Sequence, residues 1–352
     1  MSSTVLASVR HDVGSDPDDF QTFATAAGWG DGLPLVPPTE ERVARCLELA
    51  KVDPGVIVVP LLPPSGAACT MEKLAINAVM AGAPPESLPL LSAALQAMVE
   101  PDFELHSLNA TTGSVVPLLL VNGPLRHDLH LPCEAGCLGG VAGPAPAIGR
   151  ALRLVMRNVA GQQIGVTSQS VFGQPGRVTG IVFGEWEERS PWAPFAERRG
   201  VAGDAITVYG AMGTLNVCDT LTQSGDDLLS LIGRSMAVPG ANGFLTSSAY
   251  SEVLILINPV WAEVIAREVP DMEEVQQRLW QRASLPLDDW PAVYHEPIAA
   301  LGRVRDGRVH LVQDPTQVFV AVAGGLGSLH ATVIHSWGAT SAITRAVAAL
   351  PR

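Results

Sequence analysis

Apolar residues in this chain gather in short runs that stop at Gly, Pro or Asn, and between the runs lie stretches with the helical period. Thr39 stands before Glu40 and Glu41 and predicts the N-cap of a helix ending near residue 51. A strand is expected over Gly55 to Leu62, ending at Pro63 and Pro64. Thr70 and Gly82 bracket Met71 to Ala81, whose almost wholly apolar interior predicts a buried helix. A second helix is expected from about Glu86 to Val99. A Ser/Thr-rich loop holding His106, Asn109, Thr111 and Thr112 then leads into a buried strand that ends at Asn122-Gly-Pro124.

The order helix, hydroxyl-rich loop, apolar strand, Asn, Pro recurs later. Asp226 to Ala237 is followed by Ser247, Ser248 and Ser251, then by Val253 to Ile257, Asn258 and Pro259. Two readings stay open, an internal duplication and the ordinary succession of any α/β chain. A third apolar strand, Val318 to Ala323, runs into Gly324 and Gly325. Strands that alternate with helices predict an α/β fold of two lobes, each a mixed or mostly parallel sheet with flanking helices. The expected divisions are a frayed N-terminal segment over 1–18, a lobe over 19–200 carrying the candidate loops, and a second lobe over 201–352.

Composition narrows the function. With 352 residues, 47% hydrophobic and 16% charged, the chain is long enough to bury a large core. A net charge of −13 and 5% aromatics argue against a nucleic-acid backbone or an anionic membrane surface as main partner. No apolar run approaches the roughly 20 residues of a membrane span, and no signal peptide is visible. Five scattered cysteines do not form a disulfide framework, so a cytoplasmic location is expected. Only Lys51 and Lys73 among the 22 basic residues are lysines.

Candidate chemistry clusters in several places. His127, His130, Cys133 and Cys137 bring borderline and soft donors close together, a set suited to a transition metal such as zinc if the loop folds back. Cys137 alternatively serves as a nucleophilic or redox thiol near a helix N-terminus, with His106 moving protons. Arg150, Arg153 and Arg157 share one face of the following helix, where a small anionic substrate could lie. Lys73 on the apolar helix is expected as a catalytic base or an anion clamp, and Asn77, Thr111, Thr112 and Asn122 complete the expected substrate contacts. Glu185, Glu187 and Glu188 form an acidic stretch flanked by Trp186 and Trp192. No P-loop, dinucleotide fingerprint or Gly-x-Ser-x-Gly elbow is present, so no nucleotide cofactor is expected.

Several passages together resemble a bacterial family. They are Gly30-Asp-Gly-Leu-Pro-Leu-Val-Pro-Pro-Thr39, Met71 to Gly82, Asn122-Gly-Pro124, Ile148-Gly-Arg-Ala-Leu-Arg-Leu154, Gly173-Gln-Pro-Gly176, Ser190-Pro-Trp192 and Val322-Ala-Gly-Gly325. The family resembled consists of companions of small thiol or selenol proteins with a Sec/Cys-Gly-Ser-Cys motif, a motif this chain lacks. The resemblance spans about residues 25 to 345 and implies a soluble bacterial enzyme or enzyme subunit working with reactive sulfur, with such a thiol/selenol protein as partner. The family pattern includes a cysteine at Cys137, the His106 loop and the Glu72–Lys73 pair, but not the His127, His130 and Cys133 donors. The resulting expectation is an enzyme of lyase or hydrolase type acting on a small anionic metabolite in a cleft between the lobes. Its alternatives are a metal-dependent enzyme using the 127–137 loop and a non-catalytic partner subunit. Homo-oligomerisation fits each of them.

Overall fold

Leu118 and Leu120 face one way along their strand while Leu119 and Val121 face the other, and this alternation sets the layers of the molecule. The computed structural model describes residues 6–14, 16–248 and 250–349. Its strands are β1 (Ile57–Leu62), β2 (Ala67–Thr70), β3 (Val116–Asn122), β4 (Ile181–Gly184), β5 (Ala205–Ala211), β6 (Leu215–Cys218), β7 (Val253–Ile257), β8 (Ser284–Pro286), β9 (Val304–Arg305), β10 (Arg308–His310), β11 (Val318–Val322), β12 (His330–His335) and β13 (Ile343–Ala346). The helices are α1 (Pro17–Ala26), α2 (Glu40–Ala50), α3 (Met71–Ala81), α4 (Leu88–Met98), α5 (Leu105–Ala110), α6 (Leu125–Asp128), α7 (Ala145–Asn158), α8 (Gly176–Thr179), α9 (Phe195–Arg198), α10 (Gly225–Met236), α11 (Pro259–Glu268), α12 (Met272–Arg282) and α13 (His295–Ala300).

The protein is α/β, with two mixed four-stranded sheets flanked by helices: β13-β5-β3-β4 and β11-β7-β12-β6. The first sheet lays Leu119, Val121, Val182, Ile206 and Val208 on α3, α4 and α7. The second lays Val253, Ile255, Ile257, Val320 and Val333 on α10, α11 and α12. The opposite faces meet each other through Leu118, Leu120, Phe183, Tyr209, Leu254, Leu256, Phe319 and Ile334. The layers are therefore helix, sheet, sheet, helix. Apolar side chains fill the contact between the sheets, where a substrate cleft between two lobes was expected.

The two sheets repeat one another in register. Val182, Leu119, Val208 and Ile343 lie abreast across the first, and Val320, Ile255, Val333 and Leu215 across the second. In each, one parallel pairing is followed by two antiparallel ones. The recurring order read in the sequence is thus matched by a repeated sheet, with Asn122 and Asn258 at corresponding strand ends. The fourth strand of each sheet is lent by the other half: β5 leads into β6 of the second sheet, and β12 into β13 of the first. At that exchange Met212 N donates to His335 O (2.9 Å) and Trp337 N to Gly210 O (3.0 Å). The boundary expected at residue 200 therefore cuts through the first sheet, because β5 and β13 lie beyond it.

Local signals account for several helix ends. The Thr39 side chain accepts from Arg42 N and that of Thr70 from Lys73 N, while Gly82 ends α3 in the left-handed conformation. Asn258 caps α11 through Trp261 N. Residues 1–5 and 15 of the expected frayed segment lie outside the described residues. Of the remainder, Ala7 N and Ser8 N donate to the buried Glu72 carboxylate at 2.9 and 2.8 Å, fastening the segment to α3.

Candidate functional site

β3 separates the expected site residues into two groups. It is seven residues long, so its ends stand roughly 20 Å apart. At its start lie His106, Asn109, Thr111 and Thr112. At its finish lie Asn122 and the loop with His127, His130, Cys133 and Cys137, fastened there by Gly184 N to Pro132 O (3.0 Å) and Gly324 N to Cys133 O (2.8 Å). His106 and Cys137 are accordingly not a catalytic pair. His106 is exposed on the short helix α5, where a loop was expected.

The loop at the finish of β3 does not assemble a metal site. His127 bonds Glu188 (3.0 Å), His130 is exposed, and Cys133 and Cys137 are buried. Among the described residues no three His, Cys, Asp or Glu side chains gather closely enough to hold a metal ion. Burial pushes the Cys133 thiol up, and burial next to Cys133 pushes Cys137 up to about 11, so neither is an activated thiolate. Asn122 is spent on the acidic stretch, donating to Glu185 (2.6 Å) and Glu187 (2.9 Å). Arg126 closes the cluster on Glu187 (3.1 Å) and Glu188 (2.8 Å), and its hydrogen bond is the main reason the Glu188 carboxyl falls to about 2. The charges of this cluster are paired among themselves, while Asn122 Oδ1 stays buried without a partner.

Most of the expected anion contacts are also committed elsewhere. Arg150 grips Asp31 with Nε and Nη2, both at 2.7 Å, and also bonds the carbonyls of Leu33 and Pro34. With Arg157 on Gly28 O (2.9 Å), it pins the Gly- and Pro-rich loop to α7. Lys73 Nζ donates to Ala68 O (2.8 Å), and Asn77 links Lys73 O to Asn158 of α7. Thr111 Oγ1 accepts from Trp337 Nε1 (3.0 Å), and Thr112 is exposed.

Arg153 is different. Its Nε donates to Arg177 O (3.0 Å) and its Nη2 to Gln162 Oε1 (2.5 Å). Gln162 passes a bond to Asn109 Oδ1 (2.8 Å), and Asn109 to Pro63 O (3.0 Å). Arg177 Nη2 donates to the fully buried Ser168 (3.2 Å). The Nη1 atoms of both Arg153 and Arg177 are closed off from solvent without a partner. Among the described residues neither guanidinium has an ion-pair partner. Burial, then the charge of Arg177, bring Arg153 down to about 9, and burial lowers Arg177 as well. Two neighbouring half-buried cations whose shielded Nη1 donors are unfilled and which lack a counter-charge are costly, and an oxyanion is the group that would relieve such a deficit.

Backbone proximity builds this pair. At Gly149 a Cβ would stand 2.2 Å from Thr179 O and 3.0 Å from Gly180 Cα, so α7 lies against the turn after α8 as only glycine allows. Arg153 is one helical turn beyond Gly149, and Arg177 is on α8, so that crossing sets them side by side. The segment 161–174 covers the site and is stitched to residues 112–114 by Val171 N to Thr112 O (3.0 Å), Ser114 Oγ to Ser170 Oγ (2.9 Å) and Gly173 N to Ser114 Oγ (2.8 Å). Its outer side exposes Ile164, Val166, Val171 and Phe172. Sequence reasoning named Arg153 but missed Arg177, Gln162 and Ser168; the signal available was the Pro175-Gly176 turn that delivers Arg177. The chain matches no protein-family model, and no curated protein or solved structure matches it.

Proposed function

We propose that the protein binds a small metabolite through a carboxylate or phosphate group held between Arg153 and Arg177. The observation that carries this reading is the pair of solvent-shielded, unpartnered Nη1 atoms on two guanidiniums that lack any ion-pair partner among the described residues. Gln162 and Ser168 orient the two arginines, and Asn109 holds Gln162 in turn. This retains the small anionic ligand expected from the sequence and moves its site from an inter-lobe cleft to the α7–α8 crossing. Thiolate catalysis by Cys137 is set aside, because that thiol is packed between the sheets and its pKa is raised.

The test is calorimetric titration with inorganic phosphate, malonate and succinate. At least one should bind saturably, with one site lost in Arg177→Met. Charge-assisted hydrogen bonds contribute about 1.5–3 kcal/mol, so Arg177→Met should weaken binding roughly 10- to 100-fold while thermal unfolding stays cooperative. Absence of saturable binding to all three probes, or unchanged binding in a folded Arg177→Met protein, overturns the reading.

A further inference from the structure

A second cationic feature lies in the other half of the molecule. α10 and α12 approach closely at Gly233, where a Cβ would stand 2.7 Å from Arg282 Cβ and 3.0 Å from Leu279 O. Beyond that crossing, the last turns of the two helices carry Arg234 and Arg282. β8 and β10 close the wall with Ser284, Leu285 and Arg308. Together with Gln281 these residues line a cavity of about 520 Å³, within the size range of small-ligand sites.

The charge around this cavity does not balance locally. Among the described residues, Asp226 is the one carboxylate paired with any of its three arginines. It is shared, receiving Arg282 Nη2 at 2.7 Å and Arg278 Nη1 at 2.9 Å. Arg234 and Arg308 have no ion-pair partner among the described residues, in a chain whose net charge is −13. Neutralising helix C-termini accounts for Arg234 and Arg282. It does not account for Arg308, which comes from a strand. Arg308 is held in place by Nε to Ser284 Oγ (2.9 Å) and Nη2 to Ser284 O (2.7 Å), which leaves Nη1 for a ligand.

We propose that this cavity is a binding site for a compact polyanion of the diphosphate type, recognised by Arg234, Arg282 and Arg308. The lining has one apolar side chain, Leu285, and no aromatic ring, so recognition rests on the phosphates rather than on a base. Such a ligand comes from two sources, inorganic pyrophosphate or a nucleoside diphosphate. The site is separate from the Arg153–Arg177 pair in position and composition and does not depend on it.

The experiment is calorimetric titration of the full chain with sodium pyrophosphate, ADP and orthophosphate at two ionic strengths. At the site that Arg308→Leu weakens, pyrophosphate should bind one per chain, more tightly than orthophosphate does there, and more weakly at the higher salt. Arg308→Leu should lose at least tenfold in affinity. Arg234→Gln, an exposed change that leaves packing untouched, should lose severalfold. Equal affinity for ADP and pyrophosphate supports recognition of the diphosphate alone. Tighter binding of ADP, still sensitive to Arg308→Leu, identifies the nucleoside diphosphate as the source. No saturable pyrophosphate binding, or binding equal in Arg308→Leu and Arg234→Gln to that of the unaltered protein, overturns the proposal.

Discussion

Glu252, the residue before β7, is a buried carboxyl group with both oxygens engaged, accepting from Ala342 N (2.7 Å) and Tyr250 Oη (3.0 Å). Burial dominates its environment and pushes its pKa up to about 7, against the opposing pull of its hydrogen bonds and of Arg199. A carboxyl whose folded pKa exceeds its unfolded value binds its proton more tightly in the native state. The stability it contributes is therefore complete below about pH 4.5 and declines as pH rises to about 7. The size of that decline is about 3 kcal/mol at one pKa unit per 1.4 kcal/mol. Glu252→Gln keeps the acceptor for Ala342 N and removes the titration. Urea denaturation between pH 5 and 8 should show the slope in the unaltered protein and a flatter profile in the variant. An equal slope in both would dismiss Glu252 as its source. Arg150 illustrates the opposite lesson at this scale. Its place on a basic stripe was visible in the sequence, but its Asp31 partner was not, and the partner turns an expected ligand contact into a loop clamp.

At the scale of elements, the crossing of α7 over α8 controls the proposed anion site. Gly149→Ala would place a methyl 2.2 Å from Thr179 O, a contact with rigid backbone that only displacement of the helix can relieve. Overpacking of this kind costs about 1–3 kcal/mol. The same displacement separates Arg153 from Arg177, so the variant should lose stability and anion affinity together. Urea denaturation and phosphate titration measure both, and a Gly149→Ala protein with native stability would show that α7 has room to spare. Elements whose signals are local were legible in the sequence. Thr39, Thr70 and Gly82 mark helix ends through neighbours within four residues, and α2 and α3 follow them closely. The six-residue α5 was hidden, because it starts from a left-handed Glu104 with no side-chain cap and its hydroxyl-rich end looks like loop. Arg177 was hidden for a different reason. Nothing near it in sequence records that α7 brings Arg153 alongside.

Across the whole molecule, the exchange of β6 and β13 binds the halves into one folding unit. Each half's helix–loop–strand order was readable because it is local, whereas the pairing of Ile343 with Val208 joins strands far apart in the chain. A fragment over 201–352, the expected second lobe, would carry β5 and β13 without β3 and β4 to complete their sheet. It would also expose Leu254, Leu256, Phe319 and Ile334, which in the intact protein face the first sheet. Burying a side chain of this size contributes roughly 1.5–3 kcal/mol, so four of them represent about 6–12 kcal/mol. That matches the whole net stability of an ordinary domain, about 5–15 kcal/mol, leaving the fragment little or none of its own. The fragment should therefore lack a cooperative unfolding transition, while in the intact chain far-UV circular dichroism and tryptophan fluorescence should report one coincident transition in urea. A 201–352 fragment that unfolds cooperatively, or two resolved transitions in the intact chain, would mean that the sheet-to-sheet contact holds two independent domains together rather than completing a single core.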